Sequence, residues 1–491
     1  MKIYCRFIFA WMGFLGLIIV YMLRVNISVA IVAMANSTVF KPKNFTPECP
    51  VSKPNNSIKR ETGEFLWGEA DQTMILSSFY WGYTLVQIPS GILLLFFKPK
   101  WIYGLSTLTT SILTFFIPLA ANSGVYAMVI LRFLMGVCEG PTYPSLYALC
   151  GCWVLAAESS IVVTCIMTGG TIGTILGQSL SGLIIEYLGW RWMFYIMAMF
   201  GCVWFIGYCL LVFNRPSEHP FISEHEKMML INSLPHNQPN YKPKRVPLPW
   251  KHVFKSRPFF GFLILGATYN FTWYTLINCL PLYIGTVLGF NISENGGISS
   301  LPYIALFFFS VSSGIFQDFI KSKKIISNTK LRKIFACFGM TGASIIMFCI
   351  IFMGCNIPLT IMLVCLSVAM MGITVSVTGV NLIDIAPAYA GPLLAICNLF
   401  NSLCGIIAPY VKGYYTHSGE TRNNWANVFI TNSSVMFFGA VVFLLFGSST
   451  LQPWAILNCD LEQLVIFSES DSLSSINEDE RTDSKSQRNI Q

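Results

Sequence analysis

Two charged side chains lie inside an apolar run that is long enough to cross a bilayer. The run extends from Val125 to Leu149 and contains Arg132 and Glu139. Seven residues make about two helical turns, so both side chains share one helix face, roughly 10 Å apart along the axis. They are too far apart to pair directly, and each needs another partner. Because a charge near the bilayer centre costs roughly 2.5–3.5 kcal/mol, both are expected to face an aqueous cavity or the protein interior.

A third charge, Arg24, lies well inside the first apolar run, Phe7–Ala35. Two guanidinium groups in a low-dielectric cavity favour an anion, because their planar forks match carboxylate and phosphate groups. A glutamate in the same cavity is neutral or charged according to its desolvation and to nearby arginines. We therefore interpret Arg24 and Arg132 as substrate-binding residues and Glu139 as the proton- or ion-coupling residue. A structural charge network between helices is the alternative.

Uncharged polar residues extend this candidate site. Four of them have side chains that can add hydrogen bonds to a substrate, with a helix–helix polar contact as the alternative for each. They are Asn26, Tyr83, Tyr143 and Asn398. Two more, Asn381 and Asp384, lie at the predicted cytoplasmic end of the tenth span, where we predict a gating or structural role.

The sequence contains no recognisable catalytic set. No nucleophile–base–acid arrangement, glycine-rich phosphate loop or paired metal spacing stands out, and the five histidines lie outside the apolar runs. We therefore expect no enzyme activity, no cofactor and no metal site. The 16 cysteines are scattered and mostly lie in apolar runs, where they serve as packing residues. Cys49 has no obvious partner, so we infer no disulfide framework.

The composition is that of a polytopic membrane protein. The 491 residues are 54% hydrophobic and only 11% charged, whereas soluble domains carry about 25% charged residues. The net charge of +8 does not indicate nucleic-acid binding, because the basic residues cluster in loops between apolar runs. The expected surroundings are therefore a lipid bilayer.

The apolar runs fall into two blocks of about six, separated by a polar segment. We predict an all-α fold of about twelve transmembrane helices in two six-helix halves, the plan of the major facilitator superfamily. The predicted domains are an N-terminal half (1–213), a cytoplasmic linker (214–257), a C-terminal half (258–455) and a disordered cytoplasmic tail (456–491). The interiors of the spans in the second half are predicted to contain no charged residue, and the eleventh is placed at Ala390–Val411.

The first loop, Asn36–Asp71, is predicted to be extracytoplasmic. It contains glycosylation sequons at Asn36, Asn44 and Asn55. Lysines and arginines instead crowd the linker and the loop 318–333, as the positive-inside rule requires of cytoplasmic segments. An even number of spans places both termini in the cytoplasm.

Several short motifs carry a resemblance to a known family. They are Arg24-Val-Asn26-Ile-Ser28, Ser78-Phe-Tyr-Trp-Gly82-Tyr83 with Gln87-Ile-Pro89, Arg132 through Glu139-Gly140 with Tyr143-Pro144, Val380-Asn381-Leu-Ile-Asp384-Ile-Ala-Pro387, Asn398 with Gly405, and Gln452-Pro-Trp454. Together they resemble the anion:cation symporters of solute carrier family 17, a family that includes sialin, sodium/phosphate cotransporters and vesicular glutamate transporters. The resemblance covers about Trp11–Ala455.

The resemblance implies a symporter of small anions, such as inorganic phosphate or organic carboxylates. A Na⁺ or H⁺ gradient would drive it through alternating access, in a plasma membrane or a lysosomal or vesicular membrane. Leu76 and Tyr269 stand where vesicular glutamate transporters carry a histidine and an arginine, which argues against glutamate and favours the sialin and phosphate-cotransporter branch. Leu95 and Ser159 depart from the family's cytoplasmic motifs. These departures motivate an alternative function, a non-transporting anion sensor or receptor on a transporter scaffold.

Overall fold

The fold is almost entirely helical. The computed structural model describes residues 4–36, 63–155, 158–234, 249–323, 326–378, 381–386 and 389–456. Within these ranges no residue belongs to a strand, and the one isolated bridge pairs Ala35 with Phe65. The predicted all-α class is therefore confirmed.

Twelve long helical segments, numbered here as spans 1–12, follow one another in the described part of the chain. Spans 1–6 are Cys5–Met34, Glu69–Phe96, Pro99–Phe115 with Ile117–Ser123, Val125–Glu139 with Thr142–Trp153, Ser159–Leu188 and Trp190–Leu211. Spans 7–12 are Arg257–Thr286, Ile292–Ser322, Asn328–Cys349, Ile357–Thr378, Ala390–Thr416 and Arg422–Phe446.

The lengths and composition of these helices suit a bilayer. Eight of the described helices are long and apolar enough to cross one, and span 3 is a ninth if its two pieces, bent by 46°, count together. Spans 2, 5 and 7, with 28, 30 and 30 residues, complete the twelve. The chain is an integral, multi-pass membrane protein.

Two helices of the second half extend into segments predicted as loops, and each extension brings a buried charge into a helix. Span 11 continues past Val411 to Thr416, so it contains Lys412, which is buried. Span 9 begins at Asn328 and contains the buried Arg332. The apolar pattern ends at the first charge, whereas the helix continues because an ion pair satisfies that charge. The spans of the second half are therefore not free of charged residues.

Spans 1–6 form an N-terminal bundle and spans 7–12 a C-terminal bundle. The face that carries the end of span 1 and the start of span 2 is called the outer face here, and the face that carries the linker the inner face. The assignment of these faces to the two sides of a membrane, and the domain limits at 213, 257 and 455, stay predictions.

The bundles approach each other closely near the outer face. A Cβ atom on Gly182 of span 5 would lie only 2.9 Å from the Cα of Gly296 in span 8. A Cβ atom on Gly413 of span 11 would lie 2.5 Å from the hydroxyl of Thr73 in span 2. These contacts close the outer side of the molecule.

Span 1 is held in place from two directions. Gly169 and Gly173 of span 5 lie directly against the backbone carbonyls of Phe14 and Ile18 in span 1. At the inner end, the Glu226 carboxylate of the linker helix Glu224–Ser233 accepts hydrogen bonds from the backbone N–H of Cys5 and Arg6, both at 3.0 Å. An acidic group at a helix N-terminus satisfies donors that the helix leaves free.

The inference that the cysteines form no disulfide is wrong for one of them. Thirteen cysteines of the described part of the chain form no disulfide. Cys355, which lies between spans 9 and 10 near the outer face, is disulfide-bonded.

Candidate anion-binding site

Arg24 of span 1 and Glu139 of span 4 form a buried ion pair. Their side chains are 3% and 0% exposed. The Arg24 Nε donates to the Glu139 Oε1 at 2.8 Å, and Nη2 contacts the same oxygen. The second carboxylate oxygen, Oε2, has no hydrogen-bond partner in the described part of the chain. The partner that Glu139 requires is therefore Arg24, contributed by another helix.

Aromatic rings enclose the Arg24 guanidinium. Its central carbon lies 4.7 Å from the ring centroid of Tyr21, 5.2 Å from that of Phe79 and 4.9 Å from that of Tyr83. Ring faces attract a cation and replace part of its hydration. Arg24 thus contacts both the Glu139 carboxylate and three aromatic rings that surround it.

Arg132 is also buried but lacks such a carboxylate. Its side chain is 1% exposed, and its guanidinium lies 5.0 Å from the ring of Phe79. Its Nε and Nη1 have no hydrogen-bond partner among the described residues. A buried charged donor without a partner is costly. Arg132 therefore has unused donors that match the oxygens of an anion.

Close packing of spans 2 and 4 places these groups together. A Cβ atom on Gly82 would overlap the carbonyl oxygen of Phe133, and one on Gly136 would overlap that of Phe79. Only glycine permits this approach, which sets the Phe79 ring against both guanidinium groups.

The site extends to the C-terminal bundle through residues that were not predicted as site residues. Asn278 of span 7 donates from Nδ2 to the Tyr80 hydroxyl at 3.2 Å. The rings of Tyr80 and Tyr274 lie edge to face, with centroids 4.7 Å apart. Tyr80 lies within the motif that begins at Ser78, but its own spacing gave no sign of a contact between bundles.

Two of the four uncharged polar residues contact the charged centre, Tyr83 directly and Tyr143 through Tyr21. Tyr83 lies against Arg24, and the hydroxyl of Tyr143 lies 2.8 Å from that of Tyr21. Asn26 is fully buried, and neither its Nδ2 nor its Oδ1 has a partner in the described ranges. Asn398 is half-buried, and the hydrogen bonds of the described residues do not join its side chain to this centre.

Asn381 and Asp384 belong to a separate network near the inner face. Asp384 accepts from the Nε of Arg332 at 3.2 Å, and the Nη1 of Arg332 donates to Gln317 at 2.8 Å. Asn381 accepts from the hydroxyl of Ser449 at 2.6 Å. Arg332 was missed because it was assigned to a basic loop. The gating or structural role of this network stays a prediction.

The predicted glycosylation sites fall mainly outside the described residues. Asn36 is described, and its backbone N–H donates to the carbonyl of Phe65 at 2.8 Å near the outer face. Several other positions singled out above lie outside the described residues or have side chains that are not described: Asn44, Asn55, Leu95, Ser159, Pro387 and the tail after residue 456.

Comparison with known proteins gives a consistent result. Residues 13–409 match the Major Facilitator Superfamily. Sialin of Homo sapiens is 35% identical over 454 residues, which cover 92% of this chain and 91% of sialin. A putative inorganic phosphate cotransporter of Drosophila melanogaster is 34% identical over 458 residues, covering 91% of this chain and 86% of that protein.

A solved structure supports the same fold. It is a bacterial homologue of the human lysosomal transporter Spinster, in an inward-facing and unoccupied conformation. It aligns with a TM-score of 0.66 and 14% sequence identity, over 92% of this chain and all of that one.

Proposed function

The chain belongs to the major facilitator superfamily, in the family of sialin and the inorganic phosphate cotransporters, and on that premise we propose that it is a secondary active symporter of small anions. The family resemblance predicted from the motifs is confirmed. The proposed substrate is inorganic phosphate or an organic carboxylate, and the driving gradient is Na⁺ or H⁺. The observation that carries this proposal is Arg132, a buried guanidinium with two nitrogens that lack a partner in the described part of the chain.

The charge balance of the centre supports an anionic substrate. Arg24 and Arg132 contribute two positive charges and Glu139 one negative charge, all buried. The resulting excess of one positive charge is unfavourable in a low-dielectric interior. One monovalent anion neutralises it while Glu139 is ionised. A protonated Glu139 instead leaves two positive charges, which match a divalent anion.

The same geometry suggests how anion and proton binding are coupled. An anion that binds Arg132 at the centre competes with Glu139 for the nearby Arg24. When Arg24 turns to the anion, Glu139 loses its cation and favours its protonated form. Linkage of this kind is reciprocal, so the proton and the anion promote each other's binding. The two bundles then rock around the loaded centre, which lies where spans 2 and 7 meet through Tyr80 and Asn278.

The test is uptake by the purified protein in sealed vesicles. Labelled phosphate, sialate, urate and glutamate are offered one at a time, with Na⁺ and pH gradients imposed separately. We expect accumulation of at least one small anion under one of the gradients. Arg191→Ala is the matched control, because Arg191 is an exposed arginine that pairs with Glu64 near the outer face.

The result also separates transport from the alternative function. Anion binding without uptake, under either gradient, would contradict the symporter and favour the sensor. Accumulation without any dependence on an imposed gradient would contradict secondary active transport.

A further inference from the structure

A second group of buried charges lies near the outer face, away from the candidate anion-binding site. It is named the outer cluster here and consists of Glu69, Lys412 and Glu420. The Lys412 Nζ lies 2.6 Å from the Glu69 Oε2 and also contacts the Glu420 Oε1. The side chain of Lys412 is 3% exposed, and those of Glu69 and Glu420 are 20% and 9% exposed.

The outer cluster joins the two bundles. Glu69 is the first residue of span 2, whereas Lys412 lies in span 11 and Glu420 in the loop that follows it. The hydroxyl of Thr416 adds a hydrogen bond to the Glu69 Oε2 at 3.3 Å, and the indole of Trp425 donates to Glu420. Opening of the outer side requires span 2 to move away from span 11. The cluster must then separate and its charged groups must meet water.

The cluster carries an excess of negative charge. Two carboxylates share one ammonium, so the ionised cluster has a net charge of −1, and this is costly in a mostly buried site. Other titratable or charged groups toward the outer ends of the elements packed around it are Asp71 on span 2, Cys279 and Tyr283 on span 7, Tyr414 and Tyr415 on span 11, His417 after it, and Arg422 on span 12.

These neighbours have contacts of their own. Asp71 accepts a hydrogen bond from the backbone N–H of Gly68 at 3.1 Å, and Arg422 donates to the carbonyl of Ile351 at 3.0 Å. The His417 ring contacts the carbonyl of Tyr414. The excess charge is thus shared between Glu69 and Glu420.

We propose that the outer cluster is a proton-binding site, and that the bound proton holds the outer side of the protein closed. While the cluster is buried between the bundles, its excess negative charge is costly and it binds the proton. When the outer side opens to water, the cluster releases the proton. An acidic outer compartment therefore favours the closed outer side, and a rise in pH favours opening. The role in transport rests on the proposed function, whereas the protonation and the closure do not.

Electrostatics gives the direction of the effect. Burial raises the pKa of the Glu420 carboxyl to about 7, although Lys412 opposes the rise. A carboxylate in water, as in the open state, titrates near 4.3. Because the pKa is higher in the closed state, proton binding stabilises that state. This stabilisation is fully present below pH about 4.3 and is lost as the pH rises through about 7.

A native thiol reports whether the outer side opens. Cys279 of span 7 is fully buried and free, and it lies close enough to interact electrostatically with all three members of the outer cluster. The protein is placed in sealed vesicles in a single orientation. A membrane-impermeant maleimide is then added at the outer face at pH 5.5 or pH 8, and the labelling of Cys279 is followed by mass spectrometry.

The comparison is between the wild type and Glu420→Gln, which mimics the protonated carboxyl. Because thiols react faster at higher pH in any protein, the labelling rate of the wild type is divided by that of the variant at each pH. We expect this ratio to rise on the order of 10-fold from pH 5.5 to pH 8, since only the wild type gains an open state. Glu69→Gln, a second variant in case Glu420→Gln misfolds, should also remove the pH effect, because it leaves one carboxylate for one ammonium.

The controls separate this proposal from the proposed function. Glu64→Gln removes another glutamate near the outer face, but its partner Arg191 lies in the same bundle, so this variant should behave as the wild type. An unchanged ratio between the two pH values, or a wild type that is not labelled at pH 8, would overturn the proposal. Labelling needs no substrate, so failed anion uptake with an intact pH response would contradict only the proposed function.

Discussion

The anion-binding centre and the outer cluster contain the same kinds of groups in opposite proportion. At the centre, two arginines face one glutamate, whereas the outer cluster has two glutamates around one lysine. Each imbalance leaves a net charge on a buried group of side chains, and each net charge is neutralised when a ligand of opposite charge binds. An anion corrects the first and a proton corrects the second.

The two regions also differ in which helices they join. Arg24 and Glu139 both belong to the N-terminal bundle, so their contact does not have to break when the bundles rock. Glu69 and Lys412 belong to different bundles, so their contact reports on the state of the outer side. A buried charge group inside one bundle suits substrate binding, and one that joins both bundles suits control of access.

The largest expected effect comes from removing the unpaired cation of the centre. Arg132→Ala should lower anion uptake roughly 100-fold or more, since truncating one partner of a buried charged contact costs about 2–5 kcal/mol. Arg132→Lys should recover little, because an ammonium lacks the planar fork. Uptake is measured at equal amounts of folded protein in the membrane. Normal transport by Arg132→Ala would place the substrate elsewhere.

The next effect comes from the cation of the outer cluster. Lys412→Met leaves Glu69 and Glu420 buried without their cation, and we expect a loss of about 3 kcal/mol in stability at pH 8. The loss should be smaller at pH 5.5, because Glu420 then binds a proton. Thermal unfolding in detergent at the two pH values measures both. An equal loss at both would show that packing of the lysine stem, and not charge, stabilises this region.

A smaller and more selective effect is expected at Glu139. Glu139→Gln resembles the protonated residue, so it should still bind the anion and exchange it. Net accumulation driven by a pH gradient should fall on the order of 10-fold, because the glutamine amide neither binds nor releases a proton. Net uptake and exchange are compared in the same vesicles. If accumulation under a Na⁺ gradient alone persists at the wild-type level, coupling runs through Na⁺ and the role of Glu139 as a proton carrier is wrong.

The sequence predicted the centre better than the outer cluster, for a physical reason. Arg24, Arg132 and Glu139 interrupt long apolar runs, and a charge at that depth is costly enough to be recognised without a structure. Lys412 follows directly after the apolar part of span 11 and Glu69 precedes that of span 2, so both were placed in loops. At a helix end, a solvated charge and a buried one look the same in sequence.

Contacts between helices could not be predicted from the sequence, for another reason. The pairing of Arg24 with Glu139, and the hydrogen bond between Tyr80 and Asn278, depend on which helices become neighbours. Span periodicity gives the face of a helix but not its partner. The motifs identified the family and the apolar runs predicted about twelve spans, whereas the unused donors of Arg132 could be found only once the helices were packed.

The smallest effect is expected where opposite charges are already balanced. Near the inner face, Asp384 pairs one to one with Arg332, which Gln317 also contacts. Asp384→Asn keeps an oxygen that accepts from Arg332, so it should cost about 1 kcal/mol in stability and change uptake no more than about threefold. It should also leave the pH response of Cys279 unchanged, because the pair lies within the C-terminal bundle and has no net charge to correct. Thermal unfolding, uptake and Cys279 labelling of this variant are measured beside the wild type. A loss of transport comparable to that of Arg132→Ala, with the protein still folded, would show that this balanced pair takes part in gating at the inner face. Charge balance alone would then not distinguish ion pairs that only stabilise the fold from ion pairs that act in transport.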